Sequence, residues 1–403
     1  MSAVFAGRSV TVLVLFWLVG ACLRITVLAV PPVVPLLHAD LHLSETGIGW
    51  LSSLPPMLFA IAAVPGALII ARFGMLPALL AGLLVAAVGS AARGALASTI
   101  SLFAATIAMG AGISIVQTVM PPLVRAWFPQ RIGLATSIYT NGLLVGEVIP
   151  VALTIPFVLP LVRQSWRLDF AVWSVPVLII ALLVTLGMGT RDGAGRVAGA
   201  NQPAPQPRWW PDWRDPLIWR LGLILGSVNA TYFVTNAFLP DLMTAAGCPD
   251  LVSAALTAIN VGQLPASFLM MPLAERMVRQ PWSYAMTGLL ATLCVIAMLA
   301  TRGYWIVFWA GALGFTGAVT LILALALPSI LSAADDVHRT TAGMFTISYS
   351  CAMALSVIVG WLWDITHRPL VGFAPIALCG LVIAALAPTV GRIERDSPNA
   401  GRL

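Results

Sequence analysis

Residues 10–37 read VTVLVLFWLVGACLRITVLAVPPVVPLL, an apolar run interrupted by one charge, Arg24. A membrane-crossing helix needs about 20 predominantly apolar residues, so this run predicts a first span and not a cleavable leader. A charged side chain at bilayer depth costs roughly 2.5–3.5 kcal/mol on insertion scales and persists by facing a polar cavity, a partner or a ligand. Arginine does not shed its proton, so its relief comes from an anion or from hydrogen-bond acceptors. Three readings of Arg24 follow: an anion-binding centre on a transport pathway, a structural residue bonded to backbone carbonyls freed by Pro31 and its neighbours, or a salt bridge to Glu147.

The rest of the chain agrees with the first run. Of 403 residues, 60% are hydrophobic and 9% charged, and the mean hydropathy is +0.96; soluble domains carry about 25% charged residues. Apolar segments at about 10–37, 46–70, 76–97, 101–124, 132–160, 170–189, 217–240, 251–273, 282–301, 303–331, 343–363 and 370–389 predict twelve spans. A stretch rich in proline, glycine and charge lies between the sixth and seventh. The expected architecture is an all-α integral membrane protein of two six-helix bundles, residues 1–189 and 217–403, joined by a cytoplasmic linker at 190–216.

All 21 basic residues are arginine. With the N-terminus inside, fifteen fall in cytoplasmic segments and four (Arg163, Arg167, Arg302, Arg368) in outer loops, which places both termini in the cytoplasm. Arg24 and Arg93 remain within spans, and Arg93, near the outer end of the third, is expected to snorkel to the interface. Scattered through short loops, the arginines form no nucleic-acid stripe. The five cysteines have no regular spacing and indicate neither a disulfide framework nor a metal site. The halves echo each other: Ala71-Arg72-Phe73-Gly74 after span 2 answers Ala274-Glu275-Arg276 after span 8. Arg131 with Gly133-Leu134-Ala135-Thr136 answers Arg339 with Thr340-Thr341-Ala342-Gly343. A duplicated six-helix unit is the trace of a transporter with a midplane site.

On these residues the chain resembles the major facilitator superfamily. That family's motif after helix 2, approximately G-x-x-x-D-R-x-G-R-R, is met by Arg72 and Gly74, with Ala71 at the aspartate position. Within it, the chain is similar to the cyanate and nitroimidazole permease group. Leu23-Arg24 with Pro31 or Pro32 matches that group's helix 1. Residues Pro122 to Leu134 (PLVRAWFPQRIGL) match its helix 4–5 stretch, and Tyr232, Phe233, Phe238, Leu239 and Pro240 match its helix 7. The resemblance implies a proton-linked carrier of small anionic or weakly polar solutes.

Glu147 is the one acid placed well inside a predicted span, and it is the candidate for proton coupling or for a resting pair with Arg24. Asn229, Tyr232 and Asn236 share a helix face by their spacing of three and four. They are expected to line the substrate cavity with Gln117, or else to bond neighbouring helices. Tyr139, Asn141, Asn260, Gln263 and Tyr349 are weaker candidates for the cavity or the seam between halves. His38-x-Asp40-x-His42 reads as a solvated outer loop in preference to a metal site. Pro55-Pro56 and Pro65-Gly66 mark kinks in the second span. No phosphate-binding glycine loop, nucleophile elbow or metal-spaced set appears. The expectation is a non-enzyme without cofactor, monomeric, in a bacterial inner membrane, whose partners are a small solute, protons and lipid. A drug or metabolite exporter with a structural Arg24 is the alternative.

Overall fold

The structure, a computed structural model, describes residues 2–43, 45–96, 98–188, 209–366 and 368–396, so most of the expected linker (189–208) lies outside the described residues. In chain order the helices are α1 (Ser2–Ile25), α2 (Val34–Leu41), α3 (Glu45–Ile61), α4 (Ala63–Phe73), α5 (Met75–Ala92), α6 (Thr99–Trp127), α7 (Ile132–Leu153), α8 (Leu159–Leu161) and α9 (Trp166–Met188). They continue with α10 (Pro216–Ala245), α11 (Val252–Val261), α12 (Gln263–Met277), α13 (Pro281–Ala300), α14 (Tyr304–Leu331), α15 (Val337–Thr366) and α16 (Pro369–Asp396). Among the described residues ten helical segments are long and apolar enough to cross a membrane, and the bent pair α3 and α4 makes an eleventh. The remaining predicted span is the apolar part of α1, Val10–Ile25, which is shorter than the others.

That shortness corrects the first predicted span, which does not run unbroken to residue 37. Helix α1 stops at Ile25, turns follow, and a 3-10 turn at Pro31–Val33 leads into α2. Pro31, Pro32 and Pro35 have no N–H, so the carbonyls of Val27, Leu28 and Pro31 have no donor four residues on. The turn closes through the Arg24 carbonyl, which accepts from both Val27 and Leu28 at 3.0 and 2.9 Å. The second span also breaks, by 49° between Ile61 and Ala63. Pro65 lacks the donor for the Ile61 carbonyl and explains this bend, while Pro55 and Pro56 sit inside a continuous α3. Gly74 of the family motif ends α4 at φ 89°, a conformation that favours glycine.

His38 and Asp40 stand on α2 and not in a loop, and His42 follows it at φ 49°. Two residues apart on a helix, the first two side chains point away from each other. Asp40 instead accepts from Trp166 Nε1 at 2.9 Å and Arg167 Nη2 at 3.0 Å. The indole donor first, then the guanidinium, holds its carboxyl below the usual carboxylate range. A lowered folded-state value contributes stability that is complete above the unfolded value, roughly pH 3.9, and is lost as the pH falls through the folded one. Asp40→Asn is therefore expected to lower the melting temperature at neutral pH, by an amount that shrinks to nothing on acidification. A difference from wild type that persists below the carboxylate range would assign the effect to packing.

The chain divides into two compact units, Met1–Leu123 with Ile138–Trp210 and Val124–Ser137 with Pro211–Leu403. In the first, α5 packs along α9 and α9 touches α1. Its core holds Ile25, Val30, Leu37, Leu51, Leu102 and Phe170. In the second, the pairs α10–α15, α13–α16 and α11–α14 carry the packing, around Val234, Met243, Ile259, Val295 and Phe373. The short crossover segment Val124–Ser137 belongs to this second unit because its polar groups end there. Arg125 Nη1 donates to the carbonyls of Ser329 and Ser332 at the end of α14. Glu275 Oε2 accepts from the Gly133 and Leu134 amides at 2.9 and 3.3 Å. These are two of the orphan donors in the first turn of α7, where a carboxylate also complements the helix dipole. The acid missing at Ala71 in the first half of the repeat is thus present, and bonded, at Glu275 in the second.

Candidate functional site

Arg24 is placed by the crossing of α1 over α7. Gly142 and Gly146, one turn apart, let α7 approach the α1 backbone directly. A Cβ on Gly142 would lie 2.8 Å from the Trp17 carbonyl carbon, and one on Gly146 would lie 2.8 Å from Ala21 Cα. Gly20 serves the same approach from α1, where a Cβ would sit 2.9 Å from the Tyr139 carbonyl carbon. This is the small-residue interface used between helices in lipid. Trp17 Nε1 pins it by donating to Asn141 Oδ1 at 2.8 Å. Asn141 and Tyr139, read as possible cavity or seam residues, are buried at this α1–α7 contact.

One turn beyond the crossing, Arg24 Nε meets Glu147 Oε1 at 3.0 Å, and both side chains are mostly shielded (13% and 15% exposed). The guanidinium carbon lies 5.4 Å from the centre of the Phe59 ring on α3. Nη1 reaches the neighbouring Leu23 carbonyl at 3.4 Å. Of the three readings of Arg24, the structure contains the ion pair. Breaking a buried pair from one side costs about 3–5 kcal/mol, because it leaves the other charge uncompensated. An anionic ligand that replaces the carboxylate avoids that cost when the displaced carboxylate takes up a proton. Gln117 is buried on α6 in the same unit.

The second unit carries a neutral polar chain. Tyr232 OH donates to Asn260 Oδ1 at 2.7 Å, Asn260 Nδ2 donates to Asn236 Oδ1 at 2.9 Å, and Asn236 Nδ2 returns to the Tyr232 carbonyl at 2.9 Å. Asn260 Nδ2 also donates to the Leu256 carbonyl. Asn229 turns the other way and donates to Ser348 Oγ on α15 at 2.9 Å. The predicted face on α10 is therefore split between two neighbouring helices, α11 and α15. Beside it runs an aromatic row in which Tyr232 contacts Phe233, Phe233 contacts Tyr349, and Tyr349 stacks on Phe345. Gln263 is buried at the start of α12, with Nε2 unbonded.

Sequence reasoning missed two buried charges in the first unit. Arg93 does not snorkel, being 0% exposed, and Asp169, in the first turn of α9, is equally buried. Glu147 is therefore not the one acid enclosed by helices. Asp169 falls three residues into the run Trp166-Arg167-Leu168-Asp169-Phe170, where an acid reads as an ordinary helix-start carboxylate.

Known proteins agree with this architecture. A family model described as Major Facilitator Superfamily matches residues 16–330. The 2-nitroimidazole transporter of Escherichia coli K12 is 24% identical over 378 residues, 93% of this chain and 94% of that protein. The cyanate transport protein CynX of the same organism is 26% identical over 380 residues, 92% and 94% of the two chains. The solved structure of the transporter FucP in its outward conformation superposes with a TM-score of 0.73 at 15% identity, covering 95% of this chain and 99% of that one.

Proposed function

The chain belongs to the Major Facilitator Superfamily and is a multi-pass membrane transporter, not an enzyme; from that premise we propose that it carries a small anionic or polar solute by proton-linked alternating access, with Arg24 as the anion site. The observation that carries this reading is the Arg24–Glu147 pair at 3.0 Å, a fixed cation whose counter-charge sits on a different helix. The names of the relatives support a solute of the size and polarity of cyanate or a nitroimidazole.

In the resting state Glu147 occupies the guanidinium. An entering anion takes over the Nε–H that Glu147 accepted, and the freed carboxylate binds one proton to become a neutral carboxyl. Release of the anion reverses both events, so one anion and one proton travel together. Gln117, buried in the same unit as Arg24, is the candidate hydrogen-bonding partner for the uncharged part of the solute; Asn229, Tyr232 and Asn236 are the candidate polar contacts of the second unit. In this reading both termini lie on the cytoplasmic side of a bacterial inner membrane, and the arginine asymmetry between loops supports that orientation.

The test is a thermal-shift screen of purified protein against cyanate, nitrite, formate, 2-nitroimidazole and short carboxylates over a pH series, followed by flux in proteoliposomes. A ligand that binds only the folded form raises the melting temperature, and at least one small anion is expected to do so. Flux of lipophilic cations with no response to any anion would instead select an exporter in which Arg24 is structural, the reading that a permanent Arg24–Glu147 pair favours. In Glu147→Gln, the anion is expected to bind while its uptake no longer follows an imposed pH gradient. Unchanged dependence on that gradient refutes Glu147 as the proton carrier.

A further inference from the structure

Both sides of the break in the first span are held by the same turn of α9. After the break, α2 is tied through Asp40 to Trp166 and Arg167. Before it, Arg93 at the end of α5 donates Nη2 to the Thr26 carbonyl at 2.8 Å. That carbonyl belongs to the residue immediately beyond α1, two positions after Arg24. The same nitrogen donates to Ser90 Oγ at 2.8 Å, and Nε reaches the Ser90 carbonyl at 3.4 Å. The Arg93 guanidinium lies 4.0 Å from the centre of the Phe170 ring on α9. The backbones of α5 and α9 touch here, since a Cβ on Gly94 would lie 2.7 Å from Arg167 Cα.

A fully buried guanidinium needs a counter-charge. Asp169, 0% exposed in the first turn of α9 and next in sequence to the Phe170 ring that the guanidinium faces, is the acid we assign to it. Arg93 Nη1 has no hydrogen-bond partner, and the hydrogen bonds of Nη2 and Nε go to Thr26 and Ser90, not to Asp169. The two residues therefore divide the work. Asp169 balances the charge at a distance, and the bonding nitrogens of Arg93 are left for Ser90 and for the loose end of α1. A carbonyl at a helix terminus has no intrahelical donor of its own, and a cation there also complements the dipole.

We propose that Arg93, charge-balanced by Asp169, is a positioning residue for Arg24: it fixes the broken end of α1 to the first turn of α9, and so holds in place the last turn of α1, which the α1–α7 crossing brings to Glu147. The functional consequence rests on the reading of Arg24 as the anion site, whereas the clamp itself does not.

Cys22 is a native reporter, two residues before Arg24 and 2% exposed. In the 403-residue chain with Cys248, Cys294, Cys351 and Cys379 replaced by alanine, its alkylation by N-ethylmaleimide reads how firmly the end of α1 is held. The variant Arg93→Met/Asp169→Leu removes both charges together, and its melting temperature is expected to stay within about 3 °C of the parent. Its Cys22 is expected to react about tenfold faster or more, as the α1 end opens locally. Arg93→Lys, which keeps a charged donor, is expected to label within about threefold of the parent. Parent-rate labelling in Arg93→Met/Asp169→Leu overturns the proposal. Should that variant fail to fold, parent-rate labelling in Arg93→Gln, too short to reach Thr26, overturns it equally. Arg24→Ala in the same background keeps the two readings apart: retained anion binding there removes the anion site, and the clamp is still judged by Cys22 in the Arg93 variants.

Discussion

Arg24→Ala is expected to weaken binding of the transported anion by about 100-fold or more, about 2.8 kcal/mol at 1.4 kcal/mol per factor of ten. A hydrogen bond to a charged group contributes about 1.5–3 kcal/mol, and Arg24 offers one in a site shielded by Phe59 and the α1–α7 contact. The substitution also strands the Glu147 carboxylate, so a fall in melting temperature is expected beside the loss of binding. Arg24→Ala/Glu147→Ala separates the two effects. With neither charge present the stability is expected to recover while anion binding stays lost. Isothermal titration of each variant with the anion found for the wild type is the deciding measurement. Wild-type affinity in Arg24→Ala would leave the residue a purely structural role.

The largest structural effect is expected from Gly142→Leu. Its side chain would have to grow into the backbone of Trp17, and a main chain inside a bundle cannot step aside as a flexible side chain can. Overpacking of a buried site costs about 1–3 kcal/mol even where side chains can adjust. Here α1 must separate from α7, which breaks the Trp17–Asn141 bond and the Arg24–Glu147 pair together. Fluorescence-detected size exclusion is expected to show aggregated or proteolysed protein in place of a single sharp peak. Gly317, where an added Cβ meets nothing within 4 Å, is the control; Gly317→Ala is expected to behave as wild type. A monodisperse Gly142→Leu protein with the parental melting temperature would mean that the α1–α7 crossing is not what seats Arg24.

Membrane class, helical content and the major spans were legible in the sequence because they depend on local properties. Twenty apolar residues in a row partition into a bilayer wherever they sit in the chain. The family likeness was legible for the same reason, in short contiguous stretches such as Pro122 to Leu134. The prolines at 31, 32 and 35 announced irregular backbone, but not how far back the break would reach. That depended on which carbonyls found donors elsewhere.

The charges were decided by the tertiary structure. Arg24 and Glu147 are 123 residues apart, and nothing along the chain says that three glycines will bring α1 and α7 close enough for one to neutralise the other. Arg93 looked like a snorkelling interfacial residue because its sequence position fixes its depth and not its surroundings. Only the packing of α5 on α9 buries it with Asp169 and turns it toward Thr26. Hydropathy is a property of each segment facing a solvent, and so the sequence carries it. The partner of a buried charge is a property of two segments facing each other, and it exists only once they have met.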